Sequence, residues 1–175
     1  MGVAVLVGWG PIACGPAGQK PGHGTLALQT EQPAPDDGPS TYVLLRLSER
    51  RLYLMDGISR GSVESFPIAI GRQGHDTPTG RFHVEEMVEH PDYDKIDPND
   101  RSRVLKRIPP GPENPLGERW MTFAHGDGWT VGIHGTPQPQ LLGQAVSGGC
   151  IRMRNADVIR VYDRVHLGTT VIVEP

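Results

Sequence analysis

Cysteine is nearly absent from this chain. Only Cys14 and Cys150 occur among 175 residues, which leaves room for one bridge at most and excludes a disulfide framework. An excess of positive charge is missing too. The sequence has 17 Lys and Arg against 20 Asp and Glu, for a formal net charge of −3. That balance gives no electrostatic case for nucleic acid, and no block of like charges suggests a polybasic membrane patch. There is no internal repeat, no C-x-x-C and no H-x-x-x-H spacing.

Glycine and proline are abundant instead, at 23 and 17 residues. Such a composition fits short strands joined by turns better than long helices. The length suits one domain plus a modest tail, with enough chain to bury a core unaided by metals or disulfides. Residues 3–14, VAVLVGWGPIAC, form an apolar stretch too short to span a bilayer as a helix. The stretch is expected to be the hydrophobic part of an export signal, although it lacks a basic leading region. Pro11-Ile12-Ala13-Cys14 resembles a lipoprotein cleavage box, with proline in place of the usual leucine, so Cys14 is a candidate lipid anchor. Residues 15–40 are rich in Pro, Gly, Gln and Asp. They are read as a linker, because so few large apolar groups cannot offset the entropy of ordering. The expected division is therefore 1–40 as signal-like segment and linker, and 41–175 as the folded domain.

Within 41–175, apolar runs at 42–47 and 51–55 flank Ser48-Glu49-Arg50 and predict a hairpin. Further strands are expected at 63–70, 81–88, 119–124, 129–133 and 171–173. Pro67 pushes the first of these toward an edge or bulge. Two helices are expected. One covers 140–146; the other starts with Asn155 as N-cap and carries Val158, Val161, Tyr162 and Val165 on one face. The domain is thus predicted to be mostly β, with short peripheral helices. Residues 89–118 carry six prolines, many charges and no sustained period. A connection this long is expected to be a functional lid or a disordered insert, or else an idle surface excursion.

The chemistry concentrates late in the chain, at Ile133-His134-Gly135-Thr136 and Ser147-Gly148-Gly149-Cys150-Ile151-Arg152-Met153. A thiol becomes a useful nucleophile when a neighbouring imidazole or backbone dipoles favour its thiolate. His134 and Cys150 cannot share a helix face across Pro137, Pro139 and Gly143. They can meet if the chain leaves a strand at His134, turns, and returns at Cys150. Small residues before a nucleophile, here Gly148 and Gly149, allow backbone N–H groups to face an oxyanion. Arg152 could hold a substrate carboxylate or brace the loop. Residue chemistry alone leaves the alternatives open: a lone cysteine is most often a buried small hydrophobe, and a lone histidine is often structural. Zinc held by Cys150 with His134, His125 or His83 is the rival use of the same residue types, but no ligand spacing supports it.

These segments resemble the L,D-transpeptidase catalytic domain, the YkuD family. The resemblance rests on His134-Gly135-Thr136 and Ser147-Gly148-Gly149-Cys150-Ile151-Arg152-Met153. Its ordered company is Arg51-Leu52-Tyr53-Leu54, Thr77-Pro78-Thr79-Gly80 and Asn114-Pro115-Leu116-Gly117, so that it covers residues 41–174. The resemblance implies a β-sandwich-like fold and a reaction without metal or cofactor. It implies Cys150 as nucleophile and His134 as general base, with a backbone carbonyl near Gly135 orienting the imidazole. Ser147, Gly148, Gly149, Arg152, Gly135 and Thr136 would shape the substrate and oxyanion site. The implied substrate is a peptidoglycan tetrapeptide stem, which loses its terminal D-alanine and passes its acyl group to an amine. That amine could belong to a second stem, a D-amino acid or an envelope protein, and the implied location is the periplasm or cell envelope. Many members carry histidine where this chain has Gly148. The readings kept alongside are an L,D-carboxypeptidase using the same acyl-enzyme and a non-catalytic wall-binding protein.

Overall fold

A computed structural model describes residues 41–175, apart from 60, 98, 101, 127 and 128. The apolar segment, the linker and Cys14 lie outside the described residues. The chain opens with β1 (Thr41–Arg46), β2 (Arg51–Asp56), β3 (Ser62–Pro67) and β4 (Ile70–Gly71). After β5 (Gly80–His83) and β6 (Glu86–Glu89) come the pair β7 (Tyr93–Ile96) and β8 (Val104–Ile108), then β9 (Arg119–Gly126) and β10 (Trp129–His134). The chain ends through β11 (Ala145–Ser147), β12 (Ile151–Arg152), the helix α1 (Asn155–Tyr162) and β13 (Thr170–Glu174).

Two sheets enclose the core. The first runs β3-β2-β1-β13-β5, with β1 antiparallel to β2 and parallel to β13. Register puts Leu54, Val43 and Val171 in one cross-strand row and Leu52, Leu45 and Val173 in the next. Side chains alternate across a pleated strand, so both rows share a face. All six are buried, and they meet Met121, Phe123, Val131, Ile133 and Ile151 of the second sheet, whose order is β12-β10-β9-β6. Val158 and Val161 plug the same core from α1, as their helical spacing predicts, whereas Val165, expected on the same helix face, reaches the core from beyond the end of α1. The 42–47/51–55 hairpin and the edge position of Pro67 on β3 both stand as expected.

Four local expectations are corrected. The single strand at 81–88 is two, because the chain changes sheets between them: Val84 N donates to Thr169 O, whereas Glu85 N donates to Thr122 O. The strand at 63–70 likewise divides, and β4 pairs with β11 instead of continuing the first sheet. The helix at 140–146 is one 3-10 turn, Pro139–Leu141, followed by β11. Gly143, at φ +83°, ends it. Asn155 is the first residue of α1, not its cap. Arg154 takes the cap position without a side-chain bond, since the Asn155 carboxamide is used elsewhere.

Segment 89–118 is an ordered excursion. Its strands β7 and β8 form an antiparallel ribbon. Asn114, fully buried, ties down the base: its Nδ2 donates to the carbonyls of Pro91 (2.8 Å), Ile108 (3.1 Å) and Pro109 (3.2 Å), while its Oδ1 accepts from Leu116 N (2.8 Å).

Candidate active site

The site grows from the outer face of the second sheet. In β9 and β10, Met121, Phe123, Val131 and Ile133 face the core, so alternation turns Trp120, Thr122 and His134 the other way. A second apolar cluster forms there from Tyr93, Leu116, Trp120 and Cys150, with Val88 and Ile108 against it. Tyr93 and Ile108 are the first register pair of the β7–β8 ribbon. The base of the ribbon therefore joins the same apolar cluster as the thiol, which is 1% exposed.

Topology brings Cys150 to His134. Strands β10 and β12 are parallel neighbours, with Ile133 opposite Ile151 and His134 opposite Arg152. Cys150 immediately precedes β12 and sits diagonally across from His134. Trp120 ties the two together: it packs with Cys150, and its ring lies 5.7 Å from the His134 ring at an interplanar angle of 30°. Gly132 makes that possible, since a Cβ there would stand 2.7 Å from the Trp120 ring. The indole Nε1 donates to Thr122 Oγ1 (2.8 Å) and approaches Glu86 Oε2 (3.3 Å), which locks the ring.

His134 is buried, with Nδ1 2.6 Å from the carbonyl oxygen of Gly135. A carbonyl can only accept, so Nδ1 carries the proton and neutral His134 keeps its lone pair on Nε2. The segment beyond is held by Asn155, whose Oδ1 accepts from Thr136 N at 3.1 Å. A Cβ at Gly117 or Gly135 would stand 2.1 Å from that oxygen. The two glycines and Asn155 thus form one joint behind the histidine. Thr136 Oγ1 in turn accepts from Gln138 N at 3.1 Å.

The cysteine turn is closed from inside. Ser147, fully buried, donates from Oγ to Cys150 O (2.6 Å) and accepts from Gly149 N (3.1 Å). The Gly149 N–H, expected to face an oxyanion, is thereby committed to Ser147. Gly149 adopts φ +115°, a conformation that favours glycine. Its carbonyl accepts from Thr77 Oγ1 at 2.8 Å, and Thr77 also accepts from Gly71 N at 3.1 Å. Gly148 is exposed with nothing within 4 Å of a Cβ placed there, so the position has room for a larger side chain. The thiol Sγ lies 4.0 Å from Thr130 O. Arg152, half-buried, follows the turn within β12.

His134, Gly135, Thr136, Ser147, Gly148, Gly149, Cys150 and Arg152 are thus brought to one place. The zinc rivals are not: His125 pairs with Glu85 at 2.7 Å, and His83 Nδ1 lies 3.2 Å from Gly168 O. Thr77, Asn114, Trp120, Thr130 and Asn155 were not assigned to the site from sequence. Thr77 and Asn114 lie in Thr77-Pro78-Thr79-Gly80 and Asn114-Pro115-Leu116-Gly117, two of the segments on which the family resemblance rests.

The fold and site define a two-sheet, mostly β domain with a buried cysteine–histidine pair on the outer face of one sheet. The model of the L,D-transpeptidase catalytic domain, YkuD, matches residues 40–173, and the chain belongs to that family. The Bacillus subtilis (strain 168) protein named "Putative L,D-transpeptidase YqjB" is 37% identical over 146 residues, covering 82% of this chain and 74% of that protein. The Escherichia coli (strain K12) protein named "Probable L,D-transpeptidase ErfK/SrfK" is 37% identical over 137 residues. There the match covers 74% of this chain and 42% of the relative, so this chain spans less than half of that protein's length. In three dimensions, L,D-transpeptidase 3 from Mycobacterium tuberculosis shares the fold at a TM-score of 0.61 and 20% identity, over 79% of this chain and 62% of that one.

Proposed function

We propose that this chain is an L,D-transpeptidase of peptidoglycan tetrapeptide stems, working through a thioester on Cys150. The observation that carries the reading is the His134 tautomer: with Nδ1–H spent on Gly135 O, Nε2 is a base on the strand next to the thiol. In the first half-reaction, Nε2 takes the Cys150 proton and Sγ bonds to the carbonyl carbon preceding the terminal D-alanine. The tetrahedral intermediate collapses, the C–N bond breaks, and His134 returns the proton to the departing D-alanine amine. In the second, an acceptor amine attacks the thioester carbonyl and gives a proton to His134. The C–S bond breaks, and the thiolate regains its proton.

With the Gly149 N–H bonded to Ser147, the oxyanion is left to the other main-chain dipoles of the Gly148–Cys150 turn. Ser147 and Thr77 hold that turn in shape, and Arg152 sits beside it as a candidate for a substrate carboxylate. The apolar cluster that Tyr93 and Ile108 of the ribbon form with the buried thiol favours an amine over water as the second nucleophile, hence transfer over the carboxypeptidase reaction. The acceptor can be a second stem, a D-amino acid or an envelope-protein amine.

The test is mass spectrometry of the purified protein with disaccharide-tetrapeptide. A single acyl adduct, released D-alanine and a transfer product are expected. Cys150→Ala should abolish all three, and an adduct that survives the substitution would remove Cys150 from its role. Stems lie outside the cytoplasmic membrane, so the reading entails export, with Cys14 as a possible lipid anchor. Fractionation should find the protein in the envelope, and exclusively cytoplasmic protein would count against it.

A further inference from the structure

The β7–β8 ribbon carries two lysines directly opposite each other, Lys95 and Lys106. Opposed residues on an antiparallel pair point to the same face with Cβ atoms about 5 Å apart, and like charges so placed repel. The other cations among the ribbon's described residues are neutralised. Arg107 makes a two-pronged contact with Asp94, at 2.7 Å for both bonds, and Arg103 lies 3.6 Å from Asp97. Among the described residues, neither Lys95 nor Lys106 has an ion-pair partner. Both side chains are exposed.

Their face is the informative part. Lys95 is two residues from Tyr93, and Lys106 is two from Ile108. The lysine pair therefore shares the face whose Tyr93–Ile108 pair joins the apolar cluster that contains Cys150. One strand step of two residues, about 6.6 Å, separates the two pairs. Two uncompensated ammonium groups on flexible four-carbon stems thus lie one strand step beyond the residues that cluster with the thiol, while the neutralised Asp94–Arg107 pair occupies the other face.

We propose that Lys95 and Lys106 bind a carboxylate of the donor stem, namely the free α-carboxylate of its γ-linked D-glutamate. This rests on the function proposed above, in which the scissile carbonyl belongs to the next residue of the stem. A carboxylate between the lysines relieves their mutual repulsion and gains two charge-assisted contacts. An amide at that position does neither. The protein consequently selects donors in which this group is free over donors in which it is amidated.

The experiment measures D-alanine release by the full chain from two tetrapeptide donors that differ only in this group, acid or carboxamide. One D-amino acid serves as the fixed acceptor. The wild type should prefer the acid about three- to tenfold in kcat/KM, as two exposed ion pairs supply. The preference should lie in KM and shrink as salt rises from about 0.05 to about 0.5 M. Lys95→Gln/Lys106→Gln should bring the ratio near one, and Lys95→Arg/Lys106→Arg should keep it. A ratio that persists in the glutamine variant, or a wild type that does not discriminate, overturns the proposal while leaving the transpeptidase reading intact. A wild type that releases D-alanine from neither donor overturns that reading and this one with it.

Discussion

The two sheets share one core but differ in what their other faces do. The buried rows of the five-stranded sheet are aliphatic, with Leu52, Leu54, Val43, Leu45, Val171 and Val173 set in register. No site residue lies on them. The four-stranded sheet buries the same kind of side chain inward, yet its outer face holds His134, Trp120 and Thr122, with Cys150 at the end of an adjoining turn. That face needs a second cover, and the β7–β8 ribbon provides it. One sheet therefore carries the core on one side and the candidate site on the other, and the first sheet is its scaffold. On that face the Trp120 indole, His134 Nδ1 and the Ser147 hydroxyl each have a hydrogen-bond partner, as burial requires.

The contrast can be broken most sharply at His134. His134→Ala should slow acylation of Cys150 by about 10²–10⁴-fold, the usual contribution of a general base. The deficit should narrow as pH passes about 8.5, where an ordinary thiol ionises without help. Acylation followed against pH, with folding checked by circular dichroism, decides this. A loss below about threefold at every pH would mean that His134 merely packs.

The opposite signature belongs to the scaffold. Leu52→Ala removes a fully buried side chain from the first sheet and should cost about 2–5 kcal/mol of stability. Acylation per folded molecule should stay near wild type. Denaturant unfolding and active-site titration on the same sample separate the two quantities, and a parallel fall in specific activity would show that the sheets are not independent in this sense.

Thr77 tests the seam between them. Thr77→Val keeps the shape but removes the hydroxyl that bonds Gly149 O and receives Gly71 N. Leaving those buried groups unpaired should cost about 1–3 kcal/mol. Because the Gly149 carbonyl belongs to the peptide leading into Cys150, kcat should fall more than KM changes, and Thr77→Ser should restore it. Valine and serine variants with equal kcat would reduce Thr77 to a packing residue.

Some of this was legible before any coordinates. The hairpin at 42–47 and 51–55 and the valine face of α1 were visible because each element is amphipathic, with one wet and one dry side. The ribbon at 93–108 was not. Its outer half is exposed on both faces, from Arg103 to Arg107, so no alternation of apolar and polar residues marks it. The helix expected at 140–146 failed for the converse reason. Leu141, Leu142, Ala145 and Val146 look apolar enough, but Gly143 turns the chain and Ala145 and Ser147 pair with β4. Asn155 has the chemistry of a cap, yet the space between Gly117 and Gly135 draws its carboxamide to Thr136.

The sequence by itself determined which groups can react, because thiol, imidazole and the small residues around them are covalent facts, and their motif spacing marks the family. It also determined the core faces, since hydrophobic period is local. Tertiary structure alone decided the His134 tautomer, the use of the Gly149 N–H by Ser147, the place of Thr77 against the Gly149 carbonyl and the pairing of Lys95 with Lys106 across the ribbon. Each of these depends on main-chain groups or side chains brought together by closing the sheets, and closure places partners by geometry that no local pattern encodes.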